Sequence, residues 1–195
     1  FDAWDIDVYY KDKPLDQPKL IKREVISQGP VAGSIRMTYE FHDSIIVQDV
    51  TIFAPKEGIE FRTNVDWKEK QVLLRVYFPV NVHASNATYE IQCGNMERPT
   101  HTNTEWDFAK FEVCAHRWAD LSEGNYGVSL LNDCKYGHDI HENVIGLSLI
   151  KSSVRPDETA DRGKHEFTYM LYPHTGGVRH CKVQQRATQL NMPLF

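Results

Sequence analysis

The stretch "SIRMTYEFH", residues 34–42, alternates without a break: Ile35, Met37, Tyr39 and Phe41 fall on one side, Arg36, Thr38, Glu40 and His42 on the other. A period of two belongs to an extended chain with one face in a core and one in water, so the stretch reads as a half-buried β-strand. Further segments share its character: 44–53 (SIIVQDVTIF), 59–67 (IEFRTNVDW), 72–82 (VLLRVYFPVNV), 88–93 (TYEIQC), 110–118 (KFEVCAHRW) and 165–172 (HEFTYMLY). β-Branched and aromatic residues dominate them, and no long segment keeps the apolar period of a helix. Turn formers such as Pro55-Lys56-Glu57-Gly58 and Glu123-Gly124-Asn125 are spaced as hairpin connections would be. The fold class that follows is all-β, an antiparallel β-sandwich with residues 1–195 as a single domain. Residues 94–109 are expected to form a polar excursion that returns to a strand, and 152–164 a solvated surface loop.

A chain of 195 residues, 41% of them apolar, is long enough to bury a real core. Its 22 Lys and Arg against 27 Asp and Glu give a net charge of −5 with no long run of one sign, so neither nucleic acid nor an anionic membrane is expected as a partner. Apolar runs such as 72–82 stop far short of the roughly 20 residues of a membrane span, and no signal peptide is recognisable; a soluble chain is expected. Cys93, Cys114, Cys134 and Cys181 fit neither a zinc ribbon nor a small disulfide scaffold. They are expected as free, mostly buried thiols in the cytoplasm, a placement that the sequon Asn86-Ala87-Thr88 opposes only weakly. The borders, "FDAWDIDVYY" without an initiating Met and "ATQLNMPLF", are apolar and unpunctuated, as in a part of a longer polypeptide.

The densest chemistry lies in "LLNDCKYGHDIHE", 130–142. Cys134, His138 and His141 make a C-x3-H-x2-H pattern to which Cys114 and His116 could add a ligand, but that histidine spacing suits a helical turn and no helix is indicated there. Cys134 or Ser129 can be grouped on paper with His138 and Asp139, yet a nucleophilic triad is defined by geometry and not by proximity in sequence. Asp107, Asp120, Asp133 and Asp139 lie near strand ends. A retaining glycosidase needs two carboxylates about 5 Å apart, and sequence fixes no such distance. The wider stretch 102–139 sets Trp106, Trp118, Tyr126 and Tyr136 among Asn103, Asp107, Asp120, Asn132, Asp133 and Lys135. Aromatic faces beside short polar groups are what hold sugars, although each ring taken alone is more simply a core filler.

The wording of that stretch, "FEVCAHRWADLSEGNYGVSLLNDCKYGHDI" (111–140), with "RPTHTNTEWD" (98–107) and "FDAWDIDVYY" (1–10), resembles the C-terminal β-region of the family 38 glycoside hydrolases, the α-mannosidases. Within that family it is most similar to the cytosolic and bacterial branch. The resemblance runs from Phe1 to the closing "LNMPLF". It implies a long enzyme whose upstream α/β domain holds a zinc ion through His and Asp side chains and supplies the Asp nucleophile. A helical bundle and galactose-mutarotase-like sandwiches then follow. In the retaining mechanism so implied, zinc orients mannose hydroxyls, an Asp attacks the anomeric carbon and a second carboxylic acid protonates the leaving oxygen of a mannose-containing oligosaccharide.

None of the family's metal or nucleophile motifs can be carried onto residues 1–195, so no catalytic residue and no metal ligand is assigned here, and the chain alone is expected to be inactive. Its implied part is to support folding, to contact the catalytic domain and to complete the substrate cleft; assembly into a homo-oligomer is compatible with it. Since a loop of this sandwich reaches back towards the catalytic domain in related enzymes, the resemblance puts Asn132, Asp133, Lys135 and Tyr136 at the cleft, with Trp106 and Trp118 as further candidates. Lys135 and Asn132 are assigned to hydrogen bonds with substrate hydroxyls or the facing domain, and Tyr136 to packing. The same residues suit a tight turn closed by Gly137 equally well, and animal secretory members carry an arginine-containing sequence here. Two other readings remain open. One is a stand-alone carbohydrate-binding module stacking sugars on Trp106, Trp118 and Tyr136; the other is an epimerase or lyase with His116 or His138 as base.

Overall fold

The computed structural model describes residues 2–54 and 57–192. After a 3-10 turn (Val8–Asp12) come β1 (Lys19–Gln28), β2 (Ala32–Phe41), β3 (Ser44–Phe53), β4 (Ile59–Trp67), β5 (Leu74–Pro79), β6 (Asn86–Ile91) and β7 (Gly94–Pro99). A short helix α1 (Glu105–Phe108) precedes β8 (Val113–Cys114), β9 (Trp118–Glu123), β10 (Tyr126–Asn132), β11 (Gly137–His141), β12 (Val144–Ile150) and β13 (Gly163–Thr175), and α2 (Val183–Asn191) follows. Nine strands form one sheet in the order β1-β2-β3-β4-β13-β10-β9-β6-β7, and four form a smaller one, β5-β12-β11-β8. The ladders are antiparallel, and the all-β sandwich is the architecture expected from the alternating segments.

The main core lies between the sheets. Ile46, Val65, Phe167 and Tyr169 of the large sheet share it with Ile140, Ile145 and Leu147 of the small one. Trp67, fully buried, stacks nearly parallel on Phe41 with ring centroids 5.9 Å apart. A second cluster sits on the opposite face of the large sheet, where Trp118, Leu131, Met170 and Tyr172 pack under Val183 and Ala187 of α2. Strand β10 therefore sends Leu130 into one core and Leu131 into the other. A strand covered on both faces has no reason to alternate, which is why "VSLLN" gave no period-two signal.

Other departures from the expected layout have local causes. The strand expected at 110–118 shrinks to Val113–Cys114 because the chain breaks out of the ladder at Ala115–Arg117. There the Ala115 N–H donates to the Tyr136 carbonyl (3.0 Å) and the His116 N–H to the Glu90 carbonyl (3.1 Å). The excursion 94–109 resolves into β7 and the turn α1, whose first N–H groups are capped by Thr104 Oγ1 accepting from the Asp107 N–H at 3.1 Å. The 152–164 segment is irregular until Gly163 opens β13. The cysteines are free, but Cys93, Cys114 and Cys134 are exposed and not buried, since they sit in a hairpin turn, on the short edge strand β8 and in the β10–β11 turn. Gly124 closes the β9–β10 hairpin with φ +53° as expected, whereas Pro55 and Lys56 of the other proposed turn lie outside the described residues.

Beside the α2 cluster the large sheet buries a polar group. Asp120 accepts from Ser129 Oγ (2.5 Å), Ser122 Oγ (2.5 Å) and His174 Nε2 (2.7 Å), and His174 Nδ1 lies 3.0 Å from the Gly176 carbonyl oxygen. Both ring nitrogens face acceptors, so only the doubly protonated ring can donate to both. Burial by itself would lower the His174 pKa, but the hydrogen bond and charge of Asp120 outweigh it and hold the ring above the ordinary histidine range. Gly127, opposite, is what leaves room: a Cβ there would lie 2.6 Å from His174 Cε1.

Leu130→Ala, which opens a cavity between the sheets, is expected to lower the unfolding free energy by about 2–5 kcal/mol in urea titration, against less than ~0.5 kcal/mol for the exposed Lys22→Ala. The His174 contribution is complete below its unfolded pKa of about 6.5 and is lost as pH rises through the higher folded value. Melting temperature should therefore fall above that pH in the native sequence, and His174→Gln should flatten the fall.

Candidate functional site

The β10–β11 connection and the end of β6 border a cleft of about 510 Å³ lined in part by Glu90, Cys93, His116, Arg117, Asn132, Cys134, Tyr136 and Asn191. Its rigid element is an ion pair. Glu90, buried on β6, receives Arg117 Nε at 3.0 and 3.1 Å, a second close bond from Nη2, and the Arg117 peptide N–H at 2.8 Å. Burial would raise the Glu90 carboxyl, but the bonds and charge of Arg117 hold it below the usual carboxylate range. Arg117 Nη1 also donates to Thr188 Oγ1 on α2 (3.1 Å), tying the helix to the cleft.

The turn itself is built by Asn132. Its Nδ2 donates to the His116 carbonyl (3.0 Å), and its Oδ1 accepts from the Lys135 N–H (2.6 Å), an arrangement that wraps Asp133 and Cys134 into a tight loop. Asn191 of α2 reaches back to the Asn132 carbonyl at 3.0 Å. Asp133 closes the other side, accepting from the Thr168 N–H at 2.9 Å. Of the expected cleft residues, Asn132 lines the cleft but is buried, and both its side-chain oxygen and nitrogen are bonded to backbone partners, so that it shapes the loop. Lys135 is half-buried with Nζ 4.5 Å above the Phe167 ring. Tyr136 is 58% exposed and stands edge-on to His116 at 5.9 Å between centroids.

The aromatic set divides. Trp118 is buried under α2, while Trp106 on α1 is 82% exposed, so Trp106, Trp118 and Tyr136 do not share one stacking platform. Trp118, a cleft candidate whose simpler reading is a core filler, fills the core beneath α2, a helix that the sequence did not announce. His138 is fully buried, gives its Nδ1–H to the Tyr136 carbonyl (3.1 Å), and is pushed down to about 4 by burial, which keeps it neutral and out of reach of a substrate. Cys134 reaches solvent at its edge, yet partial burial and the Asp133 carboxylate push its thiol up to about 12, a poor nucleophile. Ser129 and Asp120 are locked together in the buried His174 cluster, and Asp139 pairs with Lys11 at 3.0 Å. Among the described residues no group of three or more His, Cys, Asp or Glu is arranged to hold a metal ion. Glu90, Cys93, Arg117 and Asn191 were absent from the expected site. Glu90 carried a faint signal, an acid on a strand of otherwise core character, while Asn191 comes from 59 residues beyond Asn132 and carried none.

Arg117→Met leaves the Glu90 carboxylate buried without its partner. A loss of about 2–3 kcal/mol is expected in chemical denaturation, below that of a fully buried pair because Arg117 is partly exposed. Adding Glu90→Gln should recover most of it, since no charge is then left stranded.

A sequence model described as the glycosyl hydrolases family 38 C-terminal domain matches residues 1–159. Alpha-mannosidase G of Dictyostelium discoideum is 43% identical over 196 residues, covering 98% of this chain and 18% of its own length. Alpha-mannosidase 2C1 of Homo sapiens is 44% identical over 199 residues, covering 100% of this chain and 19% of its own. The chain thus spans less than a fifth of the length of these relatives. An alpha-mannosidase structure from Enterococcus faecalis V583 shares the fold, with a TM-score of 0.77 at 16% identity over 88% of this chain and 24% of that one. The family match and the identity along its length together establish that the chain belongs to the C-terminal domain of glycosyl hydrolases family 38.

Proposed function

We propose that this chain is the β-sandwich of a retaining, metal-dependent α-mannosidase that hydrolyses terminal α-mannosides, and that its role is to support folding and complete the substrate cleft. The observation that carries the reading is the pre-shaped cleft beside the Asn132 turn, braced by Glu90 and Arg117, on a chain similar throughout its length to alpha-mannosidases. In this reading the zinc, its ligands and the Asp nucleophile belong to the catalytic part of the parent polypeptide. Tyr136 faces that part and the mannose-containing oligosaccharide, and Lys135 would reach them by leaving the Phe167 ring over which its ammonium lies. Asn132 and Asp133 hold the turn that presents them, and Trp106 is an outlying contact for glycan or catalytic domain. Residues 1–195 act as one domain, and the surface thiols Cys93, Cys114 and Cys134 support a cytoplasmic location.

The test is hydrolysis of an aryl α-mannoside by the full-length polypeptide with zinc supplied, beside the 195 residues alone. Turnover is expected only from the long chain. Tyr136→Ala in the long chain should lower kcat/KM roughly three- to tenfold, the effect of losing a contact of about 1 kcal/mol. Turnover by the 195 residues themselves would place the reacting groups inside them and overturn the assignment.

A further inference from the structure

The small sheet is too narrow for the large one. Four strands face nine, and β1 with the Ile35 end of β2 and the Ile52 end of β3 is left exposed, while Phe41 and Ile46 at the other ends of β2 and β3 stay in the core. One cross-strand row shows the consequence. Tyr169 pairs with Phe61, Phe61 with Val50, Val50 with Ile35 and Ile35 with Val25, so a single apolar line runs from the core to the sheet edge. Along it exposure climbs from 2% at Tyr169 to 41% at Ile35 and 64% at Val25. Leu20 and Ile52 on the same face are exposed as well.

The opposite face of the same strands carries their charge. Glu24, Arg36, Asp49 and Arg62 form a cross-strand row of alternating charge, with Arg36 bidentate to Asp49 at 2.7 Å and Arg62 paired to Glu166. Strand β2 separates apolar from polar residues along its whole length, which specifies one covered face, and an open apolar row at a free sheet edge is a liability unless something packs on it. The relatives say where a cover can come from: more than four-fifths of their length lies outside the part that matches this chain.

We propose that the overhanging face of β1–β3, centred on Leu20, Val25, Ile35 and Ile52, is an intramolecular docking surface, covered in the parent enzyme by an apolar element of the same polypeptide from outside residues 1–195. The proposal needs only that the chain is part of a longer protein and not that the protein is a mannosidase.

It is tested in the full-length polypeptide by introducing Val25→Cys or Ile52→Cys, with Lys22→Cys on the charged face as reference, and following iodoacetamide labelling of each peptide by mass spectrometry. Under native conditions the two apolar-face thiols should label at least about tenfold more slowly than the reference, because they react only when the interface opens. Carbene footprinting of the unsubstituted protein reads the same four side chains without relying on the variants to fold, and should find them shielded. Labelling or footprinting of Val25 and Ile52 at the reference rate would overturn the proposal. So would shielding that disappears when the protein is diluted from dimer to monomer, which would assign the face to a second copy. Neither readout involves mannoside hydrolysis.

Discussion

The structure rests on the burial of β10 and β13 from both sides. Leu130 and Phe167 face the small sheet, Leu131 and Met170 face α2, and the large sheet's middle strands are fixed between two apolar layers. A polar group carried into that middle is stabilised by a partner inside, and such partners explain much of the chemistry-bearing sequence. Asp120, Ser129 and His174 satisfy one another, and Gly127 exists as a space for the imidazole. Residues that look catalytic in a linear reading are in this way consumed by the requirements of a doubly covered sheet.

The cleft follows from the same constraint at its margin. Where β6 and β10 leave the sheet, the covering layers thin out, and the Glu90–Arg117 pair takes over as the brace between strand, turn and helix. Its geometry is fixed by backbone as well as side-chain bonds, so the loop from Asn132 to Tyr136 is held in one shape without any ligand. A surface preset in this way suits the completion of a site assembled elsewhere, because little ordering cost remains when the facing part arrives.

The architecture was legible wherever one face of a strand meets water. The segments 34–41 and 59–67 alternate and are strands, as are 44–53 and 165–172. It was illegible where both faces are covered, as in β10 and β12, and where hydrogen bonds of the 115–117 break override an apolar pattern. In the candidate site, the local turn was readable from Asn132 to Gly137, but the role of Asn132 was not. Sequence shows a polar side chain and cannot show that two backbone groups will claim it. Arg117 and Asn191 were invisible for a related reason: their meaning lies in partners 27 and 59 residues away.

The position of β13 bears on how the chain reaches this state. It is the last strand among the described residues, yet it lies between β4 and β10 and joins the β1–β4 meander to the β10-β9-β6-β7 half of the sheet. During synthesis both halves must wait with an open inner edge until residues 163–175 emerge, and the joining step closes long loops. Folding is thus ordered from the outside inward, and the unpaired edges of β4 and β10 are the surfaces a chaperone would have to shield in the interval.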